Sequence, residues 1–406
     1  MKLHRILVEP VIAAISAIFV EQRHADKVIE SALKSNKKLG ARDRAFIAEN
    51  VYEMVRWWRL LREVAGEQNF KPKLLNEKLF WEMFGTWQIL QGETLPEWAE
   101  FKGLDASKIL ARHKELQSIR KIRESIPDWI DEIGERELGA NWDAELTALN
   151  KMAPVVLRAN TLKTHPGLLK SLLEKDGIES DEVANVPEAL VLRKRKNIFT
   201  SEHFKEGFFE IQDAGSQAIS RFLDVKPGMR VVDACAGAGG KSLHLSALMQ
   251  NKGQLISMDV EEWKLEILRK RAKRNGAQNI VTRLIENNKT IKRLYDGCDR
   301  LLLDVPCSGL GVLRRNPDTK WKLEPEFLTK IRDTQEEILN SYSKMLRVGG
   351  KMVYATCSIL LSESEHQVHK FLKGEGKNFR LIEQKRFSPA TDGFDGFYMA
   401  CLERME

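Results

Sequence analysis

The sequence lacks the features that mark secreted, membrane-spanning or zinc-stabilised proteins. It has five cysteines in 406 residues and no CxxC pair, which excludes a disulfide framework and a zinc cluster and leaves reduced thiols. The most apolar early stretch, residues 6–20, is interrupted by Glu9 and Pro10 and is shorter than the roughly 18 to 20 apolar residues of a membrane span. No clear cleavage site for a signal peptide follows it. We therefore expect a cytoplasmic protein without a membrane partner.

Internal repeats and low-complexity segments are also missing, and the composition is that of a globular protein, with 43% hydrophobic and 30% charged residues. At roughly 100 to 200 residues per domain, the length predicts two to four compact units. The formal net charge is +7, and the positive excess lies in residues 216–406. A basic region favours a polyanionic partner such as a nucleic acid, although many proteins with a modest surplus bind none.

Two domains are predicted before the basic region. Residues 1–145 should be helical, because apolar residues recur at near-helical spacing, as in Ala41–Leu61. Seven of the nine tryptophans lie there, a density typical of a core or an inter-helix seam, with an RNA-stacking surface as the alternative. Residues 146–215 should form a small α/β connector domain. Its predicted elements are strands over 155–157 and 189–192 and a helix over 166–175.

Residues 216–406 are predicted to form a Rossmann-like α/β domain with a doubly wound parallel sheet, because strand patterns alternate with helical ones. Ligands of such sheets bind outside the carboxyl ends of the strands, so the residues at those ends are the candidates for chemistry. The predicted strands cover residues 230–233, 254–259, 280–286, 300–304 and 351–356, and the longer helices cover 261–275 and 326–346.

A glycine-rich loop follows the first of these strands. Asp233 ends the strand, the letters ACAGAGGKS follow, and a helix should begin near Leu243. Glycines let the backbone approach a ligand, and the amides at the helix start favour a carboxylate or phosphate, so the loop suits a dinucleotide or the methionine end of S-adenosylmethionine. Asp259, at the end of the next strand, can accept hydrogen bonds from ribose hydroxyls. The third and fourth strands end in Glu286 and Asp304.

Two cysteines follow the fourth and fifth strands, Cys307 in the letters DVPCSG and Cys357 in ATCS. Both lie in turns of small residues that would leave a thiol exposed to the cleft of the glycine-rich loop. The other three cysteines are interpreted as small buried hydrophobic residues and not as nucleophiles. They are Cys235, Cys298 and Cys401.

Alkylation at carbon 5 of a pyrimidine needs such an arrangement. That carbon is a poor nucleophile until a group adds to carbon 6 and makes an enamine, and a thiolate is suited to this addition. An acid must hydrogen-bond or protonate the ring nitrogen, and a base must then take the proton from carbon 5 before the thiolate leaves. Asp304, next to the cofactor loop and Cys307, is the natural acid.

These motifs resemble those of the RsmB-like, or Fmu/Sun, family of RNA cytosine-5 methyltransferases. The resemblance rests on the letters DACAGAGGKS from Asp233, DVPCSGLGVLRRNPD from Asp304 and YATCS from Tyr354. It extends to RANT at 158–161, QDAGS at 212–216 and DGFDGFY at 392–398. Residues 1–145, with LGARDR at 39–44, are similar more loosely to the NusB-like helical domain of bacterial members.

The resemblance implies that Cys357 is the nucleophile on carbon 6, that Cys307 assists release of the methylated product and that Asp304 contacts the cytosine ring. It implies S-adenosylmethionine as cofactor and RNA as partner, with small-subunit ribosomal RNA as the leading substrate. The chain departs from the family pattern at Ala238, where proline is common, and at Glu286, where aspartate is usual. The implied cofactor-binding residues are Cys235, Ala236, Gly237, Ala238, Gly239, Gly240, Lys241, Asp259, Glu286 and Asp304.

Several alternatives stay open at this stage. A nicotinamide-dependent dehydrogenase would use the glycine-rich loop and Asp259 but leaves the two cysteines unexplained. A non-catalytic RNA-binding assembly factor, or a methyltransferase of transfer RNA, would keep the same fold, and the oligomeric state is not predicted. A basic and aromatic cluster (Arg314, Arg315, Lys320 and Trp321) could hold the RNA strand. His366 and His369 share a helical face without further ligands, so no metal is expected.

Overall fold

The computed structural model describes residues 3–36, 38–66 and 75–406. It divides the chain into two compact units, one formed by residues 1–151 with 313–324 and the other by residues 152–312 with 325–406. The predicted division into three domains, with boundaries after residues 145 and 215, stays a prediction. Among the helices of the described residues, none is long and apolar enough to cross a membrane.

The first unit is helical. The near-helical spacing over Ala41–Leu61 corresponds to two helices, because the backbone leaves the helical region at Trp57 and a second helix starts at Trp58. The buried Trp58 stacks on Phe19 with ring centroids 3.6 Å apart. The helices are Arg5–Phe19, Ala25–Ser35, Ala41–Arg56, Trp58–Val64, Glu77–Leu90, Ala106–Leu116, Arg120–Arg123, Asp128–Leu138, Trp142–Leu149 and Thr319–Lys322, with 3-10 turns at Ala99–Phe101 and Gly139–Asn141.

Tryptophans fill the core of this unit. Trp58, Trp81 and Trp142 are buried, as the core interpretation predicts. The indole of Trp142 donates a hydrogen bond to Asp131 over 2.8 Å, which satisfies its one polar atom. Large aromatic side chains therefore stabilise the helices from inside.

The segment 313–324 belongs to the helical unit and anchors there by buried polar groups. The indole of Trp321 donates to the carbonyl of Val55 over 2.7 Å. Lys320 is 2% exposed, and its burial, with the nearby charge of Arg56, lowers the pKa of its amine well below the usual range. Arg314 is also buried. Lys320 and Arg314 of the predicted basic cluster are therefore buried, whereas Arg315 is half-buried, and a contact of this cluster with RNA stays a prediction.

The second unit contains a four-stranded antiparallel sheet in the order β2-β3-β1-β4. Leu157 of β1 and Leu190 of β3 are fully buried against Leu169 and Leu173 of a covering helix. The strands are β1 Val156–Ala159, β2 Ser180–Glu182, β3 Ala189–Leu192 and β4 Phe209–Ile211, and the helices are Pro166–Lys175 and Glu202–Lys205.

The same unit contains a seven-stranded sheet in the order β10-β11-β9-β8-β5-β6-β7. Strands β5 to β9 are parallel, and β10 and β11 add antiparallel strands at one edge. The strands are β5 Arg230–Asp233, β6 Gln254–Asp259, β7 Ile280–Leu284, β8 Cys298–Asp304, β9 Leu346–Thr356, β10 Phe379–Phe387 and β11 Phe397–Arg404. This sheet confirms the predicted Rossmann-like fold class.

Helices and short 3-10 turns connect these strands. The helices are Ala214–Phe222, Gly240–Leu248, Glu262–Asn275, Asn288–Lys292, Pro325–Tyr342, Glu365–Lys373 and Pro389–Asp392, and the 3-10 turns are Leu310–Val312, Ser343–Met345 and Leu361–Glu363. The chain order of the strands reverses between β5 and β8, so the crevice at their carboxyl ends is the expected ligand site of this fold.

Candidate active site

A cavity of about 420 Å³ opens at the carboxyl ends of β5, β6 and β8, within the size range of small-molecule sites. Apolar side chains such as Ile285 and Ile338 face polar ones such as Asp259 and Asp304. The lining residues are Ala234, Cys235, Gly237, Asp259, Val260, Glu261, Lys264, Ile285, Asn288, Asp304, Pro306, Thr334, Glu337, Ile338 and Tyr342.

The glycine-rich loop forms one wall of this cavity. Gly239 adopts a left-handed conformation with φ of 86°, and a Cβ there would lie 2.5 Å from Leu268, so only glycine fits. The helix behind the loop begins at Gly240 rather than near Leu243, because the turn at Gly239 already starts it. Its first amides therefore lie within the loop.

Two arginines, one buried and one half-buried, donate hydrogen bonds to the backbone of the loop. Arg271 donates to the carbonyl of Ala238 over 2.7 Å, and Arg158, from the RANT motif, donates to the carbonyl of Gly240 over 2.6 Å. The family's common proline would stiffen position 238 through its ring. Here a charged hydrogen bond to the carbonyl of Ala238 fixes the same position.

Asp259 lies at the end of β6 with both oxygens held. Oδ2 accepts from the amide of Gly237 over 2.9 Å, and Oδ1 accepts from the amide of Glu261 over 3.0 Å. Each oxygen of a carboxylate has a second acceptor position. The carboxylate is therefore fixed in the cavity wall and can still accept hydrogen bonds from a ligand.

The structure brings some of the predicted cofactor residues to the cavity and not others. Cys235, Gly237, Asp259 and Asp304 line it. Ala236, Ala238, Gly239, Gly240 and Lys241 are absent from its lining and shape the loop from behind. Glu286 is exposed and lies outside the lining, because β7 ends at Leu284 and the chain has already turned; the neighbouring Ile285 and Asn288 line the cavity instead.

Asp233 ends β5 but lies beneath the loop rather than in the cavity. Its Oδ2 accepts from the hydroxyl of Ser242 over 2.6 Å, and Ser242 in turn accepts from Ser257 over 2.8 Å. Burial raises the pKa of Asp233 to about 7, although the hydrogen bond from Ser242 opposes the rise. This carboxyl group therefore titrates near neutral pH inside the protein.

The two predicted catalytic cysteines meet at the ends of β8 and β9. The Sγ atoms of Cys307 and Cys357 are 3.2 Å apart, and both residues are half-buried. The hydrogen bond to Cys357, together with burial, raises the pKa of Cys307 well above its usual range. Gly311 allows the close packing of this turn: its amide donates to the carbonyl of Cys357 over 3.0 Å, and a Cβ would lie 2.2 Å from the carbonyl of Gly396.

Asp304 forms an ion pair with Lys241 near the two cysteines. Lys241 Nζ lies 2.6 Å from Asp304 Oδ2 and 5.7 Å from the ring centroid of Phe397. Burial alone would lower the pKa of Lys241, but the charge and hydrogen bond of Asp304 outweigh it, and the nearby Cys357 adds to the rise. Lys241 therefore stays positively charged beside Asp304 and Cys357.

The remaining cysteines lack the character of a nucleophile. Burial raises the pKa of Cys298 to about 12, raises that of Cys401, and raises that of Cys235 well above its usual range. Cys298 and Cys401 lie in the core, as their interpretation as small hydrophobic residues predicts.

Sequence reasoning missed the residues that helices contribute to the cavity. Thr334, Glu337, Ile338 and Tyr342 come from the helix Pro325–Tyr342, whose amphipathic pattern indicates a buried face but not which ligand faces it. Burial raises the pKa of Tyr342 to about 12, so its hydroxyl remains a hydrogen-bond donor.

The order of the seven strands and the cavity at their switch point define the class of Rossmann-like methyltransferases. Two family models match the chain: 16S rRNA methyltransferase RsmB/F over residues 220–403, and the ferredoxin-like domain of RsmF/B-like methyltransferases over residues 126–199. The second match includes most of the predicted connector.

Similar proteins have been described in bacteria and archaea. A protein of Synechocystis sp. named probable ribosomal RNA small subunit methyltransferase B is 30% identical, with 94% of this chain and 95% of that protein covered. The ribosomal RNA small subunit methyltransferase B of Vibrio vulnificus is 26% identical, with 91% and 93% covered. The chain therefore belongs to the RsmB/F methyltransferase family.

Solved structures show the same fold. The crystal structure of PH0851 superposes with a TM-score of 0.84 at 24% identity and covers 100% of both chains. The structure of NSun6 from Pyrococcus horikoshii with SFG has a TM-score of 0.64 at 20% identity and covers 70% of this chain and 99% of that one.

Proposed function

We propose that this methyltransferase is an S-adenosylmethionine-dependent RNA cytosine-5 methyltransferase and that small-subunit ribosomal RNA is its substrate. The observation that carries the proposal is the pair of thiols, with Cys307 Sγ and Cys357 Sγ 3.2 Å apart beside the cavity. A nicotinamide-dependent dehydrogenase has no use for two cysteines at this point. A pyrimidine C5 methyltransferase uses one thiol as nucleophile and a second group for proton transfer.

The cavity fits the proposed cofactor. Asp259 is fixed by two backbone amides and can accept hydrogen bonds from ribose hydroxyls. Ile285 and Ile338 would offer an apolar surface to the adenine ring, and the loop around Gly237 would hold the methionine end. When bound, S-adenosylmethionine supplies an electrophilic methyl group.

Cys357 is the proposed nucleophile. The ammonium of Lys241 lies close enough to Cys357 for an electrostatic interaction between the two side chains. Cys307, whose raised pKa keeps it a thiol, can donate a hydrogen bond to the sulfur of Cys357. In this assignment Cys357 adds to carbon 6, and Cys307 assists the release of the methylated base.

Asp304 is proposed to contact the cytosine ring. Lys241 binds Oδ2, and Oδ1 is available to a base at the cavity edge. In this ion pair Lys241 carries the proton, so Asp304, predicted as the acid, is proposed instead to orient the base, and Lys241 to supply the proton-bearing group as charge develops on the ring nitrogen.

The RNA substrate must present an unstacked cytosine, because a duplex hides carbon 6 from any side chain. The net charge of +7, with its excess in residues 216–406, supports a polyanionic partner. Relatives named ribosomal RNA small subunit methyltransferase B favour ribosomal RNA over transfer RNA. We also propose that residues 1–145 form a NusB-like domain and that this domain binds RNA.

The test is transfer of labelled methyl from S-adenosylmethionine to unmodified small-subunit ribosomal RNA, with an unmodified transfer RNA pool in parallel and digestion to nucleosides. Label in 5-methylcytidine from ribosomal RNA is the expected result. Label from transfer RNA alone contradicts the substrate, and label in another nucleoside contradicts the chemistry. Cofactor binding without transfer to either RNA favours the second candidate, a non-catalytic RNA-binding assembly factor.

A further inference from the structure

A fully buried carboxylate lies directly behind the two cysteines. Glu363, in the 3-10 turn that follows β9, is 0% exposed. Its Oε1 accepts from the amide of Ser308 over 2.8 Å and from the side-chain amide of Gln335 over 3.1 Å. Its Oε2 accepts from the hydroxyl of Ser308 over 2.5 Å and from that of Ser358. Four neutral donors therefore fill the acceptor positions of one carboxylate.

Three of these four hydrogen bonds come from the serines that follow the two cysteines. Ser308 is the next residue after Cys307, and Ser358 is the next after Cys357. The two hydroxyl oxygens are themselves 3.3 Å apart. Glu363 is thus the point at which the ends of two neighbouring strands are joined through their side chains.

Gln335 extends this connection to the helix above. Its amide nitrogen donates to the carbonyl of Pro306 over 2.9 Å as well as to Glu363. The hydroxyl of Tyr354, on β9, donates to the backbone carbonyl of Glu363 over 2.8 Å. The residues on both sides of Cys307 are therefore held by two connected buried side chains, Pro306 by Gln335 and Ser308 by Glu363.

A carboxylate suits this place better than any neutral residue. Burying a charge is costly unless it is fully hydrogen-bonded, so a chain that needed only packing would place an apolar residue here. In a glutamine of the same shape the amide group would face Ser308 and Ser358, and both hydroxyls would have to reverse from donors to acceptors. The full set of donors matches the four acceptor positions of an ionised carboxylate.

We propose that Glu363 is a positioning residue of the two-cysteine site, which ties the turns after β8 and β9 together and sets the spacing and orientation of the two thiols. The proposal rests on the proposed function of Cys307 and Cys357. Because Glu363 touches neither thiol, it acts through Ser308 and Ser358.

The electrostatics of Cys307 agree with this arrangement. After the hydrogen bond to Cys357 and burial, the negative charge of Glu363 is a further cause that raises the pKa of Cys307. A fixed anion behind the pair therefore favours the thiol form of Cys307.

The test compares Glu363→Gln with Glu365→Gln, a matched control two residues away. Glu365 pairs with Arg386 and makes no contact with the cysteine turns among its hydrogen bonds. Phenylarsine oxide is the probe of thiol spacing: its arsenic(III) bonds two neighbouring thiols and its oxygen leaves as water. We expect Glu363→Gln to lose this bidentate binding, as Cys307→Ala does, and Glu365→Gln to keep it.

Two further readouts separate positioning from mere structural support. The pH profile of Cys307 alkylation, followed by peptide mass spectrometry, should move to lower pH in Glu363→Gln. The substitution removes a negative charge that raises the pKa of Cys307. Turnover with saturating S-adenosylmethionine should fall about 10- to 100-fold, the cost of misplacing reacting groups by about 1 Å. Glu365→Gln should match the wild type in both.

The outcomes are decisive in each case. Glu363→Gln that keeps both arsenical binding and the alkylation profile contradicts the proposal, whatever its thermal stability. If the wild type methylates no RNA, the proposed function fails while the two thiol assays still test Glu363. If Glu363→Gln does not fold, Ser358→Ala removes one of the four donors and should weaken arsenical binding; unchanged binding in that variant overturns the proposal.

Discussion

Asp233→Asn should change how the stability of the second unit depends on pH. Asp233 is buried beneath the glycine-rich loop, and its pKa is raised from the ordinary 3.8 to about 7, mainly by burial. A carboxyl group whose pKa is higher in the folded than in the unfolded protein adds to the free energy of unfolding. This contribution is fully present below the unfolded pKa and is lost as the pH rises through the folded pKa. The asparagine variant has no such loss.

The magnitude follows from the two pKa values. A difference of about three between them corresponds to about 4 kcal/mol of unfolding free energy, of which about 3 kcal/mol is lost between pH 5 and pH 8. Asparagine keeps the shape and can still accept the hydrogen bond from Ser242. Between pH 5 and pH 8, the free energy of unfolding of Asp233→Asn should therefore rise by about 3 kcal/mol relative to that of the wild type.

Hydrogen exchange of the β5 and β6 amides, corrected for intrinsic rates, is the suitable assay. Tryptophan fluorescence would miss the effect, because only Trp263 lies in the second unit. Asp181→Asn serves as the control, since the hydrogen bond to Arg193 lowers the pKa of this exposed carboxyl group. A difference between Asp233→Asn and the wild type that stays constant from pH 5 to pH 8 would refute the reasoning.

Two other predictions concern the loop and a buried histidine. Arg271→Met, which removes the donor to the carbonyl of Ala238, should weaken S-adenosylmethionine binding about tenfold in calorimetry; equal weakening in Arg269→Met, at an exposed position of the same helix, would contradict it. Burial lowers the pKa of His244 from 6.5 to about 4. The free energy of unfolding is therefore unaffected by this histidine above pH 6.5 and falls by about 3 kcal/mol as the pH drops to 4. His244→Gln should lack this loss in acid unfolding, and an unchanged slope would exclude the histidine as its cause.

The parallel part of the sheet was predictable because each strand is a short apolar run with a clear end. The predicted strands over 230–233 and 254–259 coincide with β5 and β6, and the fourth and fifth end at Asp304 and Thr356 as expected. Strand β10 was not predicted, since its exposed face is rich in charged residues. Strand β11, which is mostly apolar and buried, was not singled out either. The edge position of β10, which allows such residues, follows only from the topology.

In the candidate site, local motifs indicated the loop, Asp259 and the two cysteines, whose proximity the structure establishes. Glu363 and Arg271 were missed, because their contacts join residues far apart in the chain and leave no local pattern. The burial of Lys320 was not predicted for the related reason that a basic residue in a polar segment gives no sign of burial. Long-range polar contacts are the part that sequence periodicity does not encode.

The central claim is the division of labour between the two cysteines, and a covalent trap tests it most directly. Cys307→Ala, incubated with S-adenosylmethionine and unmodified small-subunit ribosomal RNA, should accumulate an RNA adduct that survives denaturing electrophoresis. Cys357→Ala should form no adduct and transfer no methyl group, and Cys401→Ala, in the core, should behave as the wild type. A Cys307→Ala variant that releases RNA and keeps turning over would contradict the account.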